Sequence, residues 1–288
     1  MAVKKLSGDT TKTPKTFEMV EVSLPTTKSK AATNIEDFAY YIYGAPGIGK
    51  TTFTAQFPNA LHFMFEPGAD DKELYQVFPK NWREVLAYVS EVEKAGKQGP
   101  FKNFIFDVVD LAWDMVEQYV CQRRVVDFLK DIGFGDGYKE AAKELRNVLI
   151  RLKRCGGLIL LSHEKSQKME KVAGGFNQYD FTHPSCSNSC NDVAKKWVSL
   201  VGNYYVNDSG ERFLKIGVTK DVEAKCRIHD THFHYSNGEK ISDIPMGESA
   251  EESYNNFSKA FENSLTKPGS SAPKTVKKSF KVNKGGSK

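Results

Sequence analysis

An α/β fold built on a mostly parallel sheet, with helices on both faces, is predicted by three observations. Apolar strands alternate with amphipathic helices through the middle of the chain, which is the pattern of repeated strand-helix-strand units. Several of the strands are apolar throughout rather than at every second residue, as strands buried on both faces must be. The third is Gly44-Ala45-Pro46-Gly47-Ile48-Gly49-Lys50-Thr51, a glycine-rich stretch that follows the apolar run Tyr40-Tyr41-Ile42-Tyr43 and opens a helix. The chain of 288 residues is long enough for one such core of about 230 residues with loose ends.

The first strand is read at 39–43, and its helix starts at Lys50 and stops near Pro58. Leu61-His62-Phe63-Met64-Phe65 forms a second strand, ended by the turn Glu66-Pro67-Gly68. Trp82, Val85, Leu86, Val89 and Val92 recur at helical spacing, and Phe104-Ile105-Phe106 is a short strand that stops at Asp107. Helices are expected over 111–130 and 138–154, the second carried by Ala141, Leu145, Val148, Leu149 and Leu152. The apolar strand 158–161 ends at Ser162-His163. The stretch 164–192 lacks periodicity and reads as a long loop, of the kind that is functional or disordered. Strands at 203–206 and 213–218 are joined through the hairpin signal Asn207-Asp208-Ser209-Gly210. A small accessory hairpin around Ser236-Asn237-Gly238 and a helix over 251–262, with Tyr254, Phe257 and Phe261 on one side, complete the fold. The chain thus divides into a mobile N-terminal arm (1–30), an α/β core (31–228), an accessory hairpin and helix (229–263) and a disordered lysine-rich tail (264–288).

The formal charge of +5 is unevenly spread. Residues 264–288 hold seven lysines and no acid, residues 1–30 hold six lysines against three acids, and the remainder is net acidic. The core is therefore not a basic nucleic-acid platform as a whole, whereas the tail can hold DNA or RNA through counterion release. No apolar stretch approaches the length of a membrane span, and the N-terminus has no apolar signal core, so a cytoplasmic location is expected. Cys121, Cys155, Cys186, Cys190 and Cys226 accordingly read as reduced thiols.

The glycine-rich stretch fits the G-x-x-x-x-G-K-[ST] phosphate-binding loop in full. The loop Gly44, Ala45, Pro46, Gly47, Ile48 and Gly49 would wrap a phosphate with the backbone N–H groups of all but Pro46, and the following helix, entered at Lys50, Thr51 and Thr52, would add its positive end. Lys50 would reach the β and γ oxygens of ATP, and Thr51 a Mg²⁺ ion. In a parallel sheet chemistry gathers at the carboxyl ends of strands. Asp107, at such an end, reads as the metal-site carboxylate, expected to bond a Mg²⁺ water beside Thr51. Its neighbour Val108 is not the glutamate that often activates water there, so a base from another strand end is needed. Glu66 closes the second strand and is the candidate. Ser162 and His163 could touch the γ-phosphate and report hydrolysis to the segment beyond them. Asp110 reads as an N-cap of the next helix.

In 164–192, Lys165, Lys168 and Lys171 mix with Phe176, Tyr179 and Phe181, which suits phosphate neutralisation and base stacking on single-stranded nucleic acid. His183, Cys186 and Cys190 stand at ligand-like intervals; a closed zinc site would require a distant fourth group, and ordinary loop thiols are the alternative. His232 and His234 would share one face of a surface strand.

The phosphate loop through Thr52, the strand-end Glu66, Phe104-Ile105-Phe106-Asp107, the helix near Tyr138 and the strand through His163 together resemble the RecA-core phage nucleotide-binding proteins, some of which are single-strand annealing recombinases. The resemblance spans about 38–228. It implies a RecA-like P-loop NTPase core using ATP and Mg²⁺, a DNA-binding segment after His163, and subunits stacked as a ring or filament. In such a homo-oligomer a basic residue of one subunit completes the site of the next; Lys220, Lys225 and Arg227 are the candidates. The expected activity is a DNA-stimulated ATPase that binds single-stranded DNA in recombination or replication, with single-strand binding or replication proteins as possible partners. The alternatives are a nucleotide-dependent switch or assembly factor acting on a protein partner, and a nucleotide or small-molecule kinase. The latter would call for an arginine cluster after the central strands, which the sequence lacks.

Overall fold

The computed structural model describes residues 23–171 and 177–268. It divides into a unit of residues 1–32, whose described part has neither helix nor strand, and a unit of residues 33–288. Residues 1–22 of the expected arm, the tail from 269 onward and Phe176 lie outside the described residues.

In the larger unit the chain runs β1 (Ala39–Gly44), α1 (Lys50–Thr54), β2 (Ala60–Met64), β3 (Tyr75–Val77), α2 (Trp82–Ala95), β4 (Asn103–Asp107), α3 (Val109–Arg124), α4 (Asp136–Cys155), β5 (Gly157–Lys171), β6 (Asn177–Pro184), α5 (Asn188–Trp197), β7 (Leu200–Val206), β8 (Arg212–Lys215), β9 (Lys225–Cys226), β10 (Asp243–Pro245) and α6 (Ala250–Phe261). The sheet has the order β10-β8-β7-β1-β5-β4-β2-β3. From β7 to β3 every pairing is parallel, and the antiparallel β8 and β10 extend one edge. The α/β class and the mostly parallel sheet are as the sequence predicts.

The unbroken apolar strands follow from a core on each face. Tyr41, Tyr43, Phe63, Phe104, Phe106, Leu158 and Leu160 point to the side covered by α2, α3, α4 and α5. The alternate residues Tyr40, Ile42, Ile105, Ile159 and Leu161 point to the side covered by α1 and α6. Helix α4 gives up Ala141, Leu145, Val148, Leu149 and Leu152 to the first core, each of the larger side chains contributing about 1.5–3 kcal/mol of burial. Helix α6 starts with a capping box from Ser249 and Glu252. It then sets Phe257 edge-on against Tyr40 and Phe53, so the C-terminal region, with β10 in the main sheet, completes the same core.

Several elements depart from the sequence reading. The expected loop over 164–192 is instead structured: β5 continues to Lys171 and pairs antiparallel with β6, from Glu164 opposite Pro184 to Lys171 opposite Asn177, and α5 follows. A strand made almost wholly of Lys, Glu, Gln and Ser carries no apolar alternation, so its order comes from backbone pairing that hydrophobic periodicity does not register. Helix α3 stops at Arg124, where Val125 takes φ 56°, rather than at 130; Leu129 continues the helical spacing but is buried from a 3-10 turn. His232 lies in a turn, stacked 4.0 Å from the Phe261 ring, and not on a strand. Cys186 and Cys190 are not free thiols: they are joined as a disulfide with their Cα atoms 6.0 Å apart, the buried Cys186 lying just before the N-cap Ser187 and the buried Cys190 in the first turn of α5. With the two sulfurs bonded to each other, and His183 stacked on Phe181, the three do not form a metal site.

His62 is fully buried in β2 and neither ring nitrogen has a hydrogen-bond partner among the described residues. Burial pushes its pKa down to about 4. The native state therefore refuses a proton that the unfolded chain accepts near pH 6.5, so stability falls as the pH drops from 6.5 and levels off below 4. A shift of this size amounts to about 3 kcal/mol. His62→Leu should remove that acid-side loss. Urea midpoints of the two proteins should diverge between pH 7 and about pH 4.5, and parallel curves would refute the assignment.

Candidate active site

Four parallel strands, β1, β5, β4 and β2, deliver their carboxyl ends to one edge, where Gly44 stands beside His163 and Met64 beside Asp107. The loop leaving β1 passes Gly47 at φ 74° and Gly49 at φ 111°, left-handed values that glycine adopts freely, and enters α1 at Lys50. Gly44 is needed for a different reason: a Cβ there would sit 2.3 Å from the carbonyl oxygen of Tyr204 on β7. Phe53 and Phe57 seat α1 on Phe257 and Tyr254 of α6, which fixes the helix behind the loop.

The cleft above this edge has a volume of about 440 Å³ and is lined by the loop together with Lys50, Thr51, Thr52, Glu66, Lys72, Asp107 and His163. Lys50, Thr51, Glu66, Asp107 and His163 are thus brought together as the sequence expects of one site. Lys50 is buried, and its ammonium donates to the carbonyls of Gly44 at 2.9 Å and Ala45 at 3.0 Å. It forms no ion pair with a carboxylate among the described residues, and burial holds its pKa below the usual lysine value. Thr51 donates its hydroxyl to Asp107 at 2.6 Å. Asp107 is almost wholly buried, and burial raises its pKa against the lowering effect of the Thr51 hydrogen bond; the charge of Glu66 raises it further.

Glu66 meets His163 across the cleft, with Oε2 3.1 Å from Nε2. An ionised carboxylate only accepts, so this ring nitrogen carries the hydrogen. Asp110 is not an N-cap, since Val108 holds that position in α3. Its carboxylate instead gathers the end of β5: Ser162 donates at 2.6 Å, the His163 backbone N–H at 3.1 Å, and the Ser185 hydroxyl beyond β6 also donates to it. No local pattern signals this convergence, because the four groups are brought together only by the packing of β5, β6 and α3. Lys72 is a further cleft residue that no motif marks. It lines the cleft from an acid-rich turn after β2 and pairs with Asp71 at 2.7 Å.

Among the nucleic-acid candidates, Lys165 stands opposite His183 and shares a hairpin face with Phe181 and Tyr179, whereas Lys168 stands opposite Asp180 on the other face. Lys171 closes the register opposite Asn177. Of the three candidates for action on a neighbouring subunit, Lys225 donates to the Lys195 carbonyl at 2.6 Å and Arg227 to that of Lys196 at 3.0 Å, so both tie the chain to the end of α5. Lys220 is exposed and makes no such bond among the described residues.

A buried ammonium bonded only to main-chain carbonyls fits an anion, and a hydroxyl and a carboxylate in contact fit a hard divalent cation such as Mg²⁺. Among the described residues no helix is long and apolar enough to cross a membrane. No curated protein matches the chain. The sequence profile of a family described as AAA domain matches residues 36–228, from just before β1 to just beyond β9. The match covers well over half of the chain and includes the phosphate loop, Glu66, Asp107 and His163, and the chain accordingly belongs to this AAA-domain family of P-loop ATPases.

Proposed function

We propose that the protein is a Mg²⁺-dependent ATPase whose turnover is governed by single-stranded DNA, acting in annealing or in recombination or replication of the kind carried out by phage proteins, as a homo-oligomer. The observation that supports this best is the continuity of β5. One strand of 15 residues carries His163 at the cleft and then runs, without a break, into the hairpin that bears Lys165 and Lys168. A strand held at its base by Asp110 and touching Glu66 through His163 gives the hairpin a direct mechanical path to the site.

The loop N–H groups and Lys50 bind and orient the triphosphate, and Thr51 and Asp107 are the residues that would hold Mg²⁺. Mg²⁺, when bound, offsets the charge on the β and γ oxygens. Glu66 orients the attacking water and takes its proton at the carboxylate. His163, bonded to Glu66, fixes where that carboxylate points. Lys220 is the favoured group for completing a neighbouring site.

The test is hydrolysis of ATP by the full chain with and without single-stranded DNA, against duplex DNA and RNA. Stimulation by single strands alone is expected, and Lys165→Glu, a residue that does not line the cleft, should abolish the stimulation while leaving the basal rate within about twofold. Turnover indifferent to every nucleic acid would overturn this reading and leave the nucleotide-dependent assembly factor.

A further inference from the structure

The helices α4 and α5 enclose a groove of about 660 Å³ on the side of the molecule covered by the first core. Lys139, Lys143 and Arg146 fall on one face of α4 at spacings of four and three residues, and Lys196 faces them from α5. Lys139 is paired with Asp136, and Lys196 approaches Asp192 only at 3.7 Å. Lys143 and Arg146 are exposed and have no ion pair or hydrogen bond among the described residues. Two aromatic rings, Tyr138 and Trp197, line the same groove at 41% and 42% exposure. Exposed tryptophan beside unpaired cations is what a polyanion with flat apolar groups requires: phosphates on the cations, bases on the rings.

We propose that this groove is a second binding surface for single-stranded nucleic acid. The adjoining cleft, which shares Tyr138, is lined by three acids, Asp114, Glu117 and Asp127, against one cation, Lys130, so its balance of charge disfavours a phosphate chain relative to the α4–α5 side. Duplex DNA, whose bases are stacked inside, offers nothing to the two rings, and an acidic peptide would use the cations alone. The groove also communicates with the hairpin. Helix α5 leaves β6 through only three residues, and the Asn191 amide donates to the carbonyls of Pro184 at 3.2 Å and Cys186 at 2.6 Å. A strand seated in the groove would thus brace the base of the hairpin. The proposal rests on the reading that the chain binds single strands, and extends it to a surface that neither the phosphate loop nor the hairpin includes.

The experiment is fluorescence anisotropy of labelled oligothymidylate with the full chain, across a salt series, in wild type, Lys143→Gln/Arg146→Gln, Trp197→Leu and the hairpin variant Lys165→Glu. Nucleotide binding serves as the check of folding. The double variant should bind roughly tenfold or more weakly, with the slope of log affinity against log salt shallower by about 1.4, two phosphates at ~0.7 each. Trp197→Leu should lose about tenfold, and wild-type tryptophan fluorescence should be quenched on binding. Loss in Lys165→Glu alone, with both groove variants unchanged, would overturn the groove and leave the hairpin reading standing. Equal affinity for duplex, or competition by polyglutamate as effective as by the oligonucleotide, would also overturn it. Absence of binding by the wild type would remove the single-strand reading and the groove together.

Discussion

Lys50→Ala should abolish ATP-dependent behaviour while leaving a folded protein. Two of the three ammonium hydrogens are spent on the carbonyls of Gly44 and Ala45, which fixes the nitrogen at the rim of the loop and leaves one donor for a phosphate oxygen. The side chain is buried without an ion pair among the described residues, so the free protein carries a desolvated cation at a cost that a bound phosphate would offset. Removing it relieves that cost in the free protein and removes the charge that phosphate needs. The expected loss in turnover is about 10²–10³-fold or more, the range for deleting one positioned donor to developing charge. Lys50→Arg should fail as well, since a planar guanidinium cannot take both carbonyls and a phosphate from the same point. Thermal unfolding with and without ATP reads the result independently of catalysis. The wild type should gain about 2.7 kcal/mol at a hundredfold excess over the dissociation constant, and Lys50→Ala none. A preserved thermal shift in Lys50→Ala would separate this loop from nucleotide binding.

Local chemistry and hydrophobic spacing are what this sequence displays openly. The loop from Gly44 to Thr51 is contiguous, and each strand that ends in a site residue is an apolar run interrupted by a polar one, so Asp107, Glu66 and His163 are assignable to one edge from order along the chain alone. The parallel class follows from strands such as Leu158 to Leu161, apolar on both sides because both faces are covered. The hairpin escapes such a reading because Lys165, Ser166, Gln167 and Lys168 have no apolar alternation to mark a strand, and only pairing with β6 orders them. Asp110 escapes for a related reason. Its partners Ser162 and Ser185 lie 52 and 75 residues away in sequence, and a polar residue near a helix start reads first as a cap. The disulfide between Cys186 and Cys190 depends on α5 starting where it does, beside both sulfurs. Periodicity reports burial, whereas polar convergence belongs to topology.

Glu66→Gln should bind nucleotide normally and lose hydrolysis by about 10²–10⁴-fold, the contribution of a general base. The substitution is clean because of the contact that Glu66 makes. His163 donates to its carboxylate from Nε2, and a glutamine carbonyl oxygen can accept the same hydrogen, so the geometry of the cleft is kept and only basicity is lost. His163→Ala tests the other half of the pair. It leaves the carboxylate in place but frees it to rotate, and it cuts the link between the cleft and β5. The expected result is a modest loss of basal rate, about tenfold, as for a group that orients the base rather than serving as one, together with loss of any stimulation by DNA. The two variants therefore differ in kind: one loses turnover at every DNA concentration, the other loses the response to DNA. Normal turnover in Glu66→Gln would assign the water to another group, and the remaining acids near the loop are poorly suited. Asp107 is committed to Thr51, Asp110 to Ser162 and Ser185, and Glu164 accepts from Asn203 at 3.0 Å. Of the two carboxylates lining the cleft among the described residues, Asp107 accepts from Thr51 and Glu66 faces His163, so loss of Glu66 leaves no second carboxylate in the cleft outside the Thr51 pair.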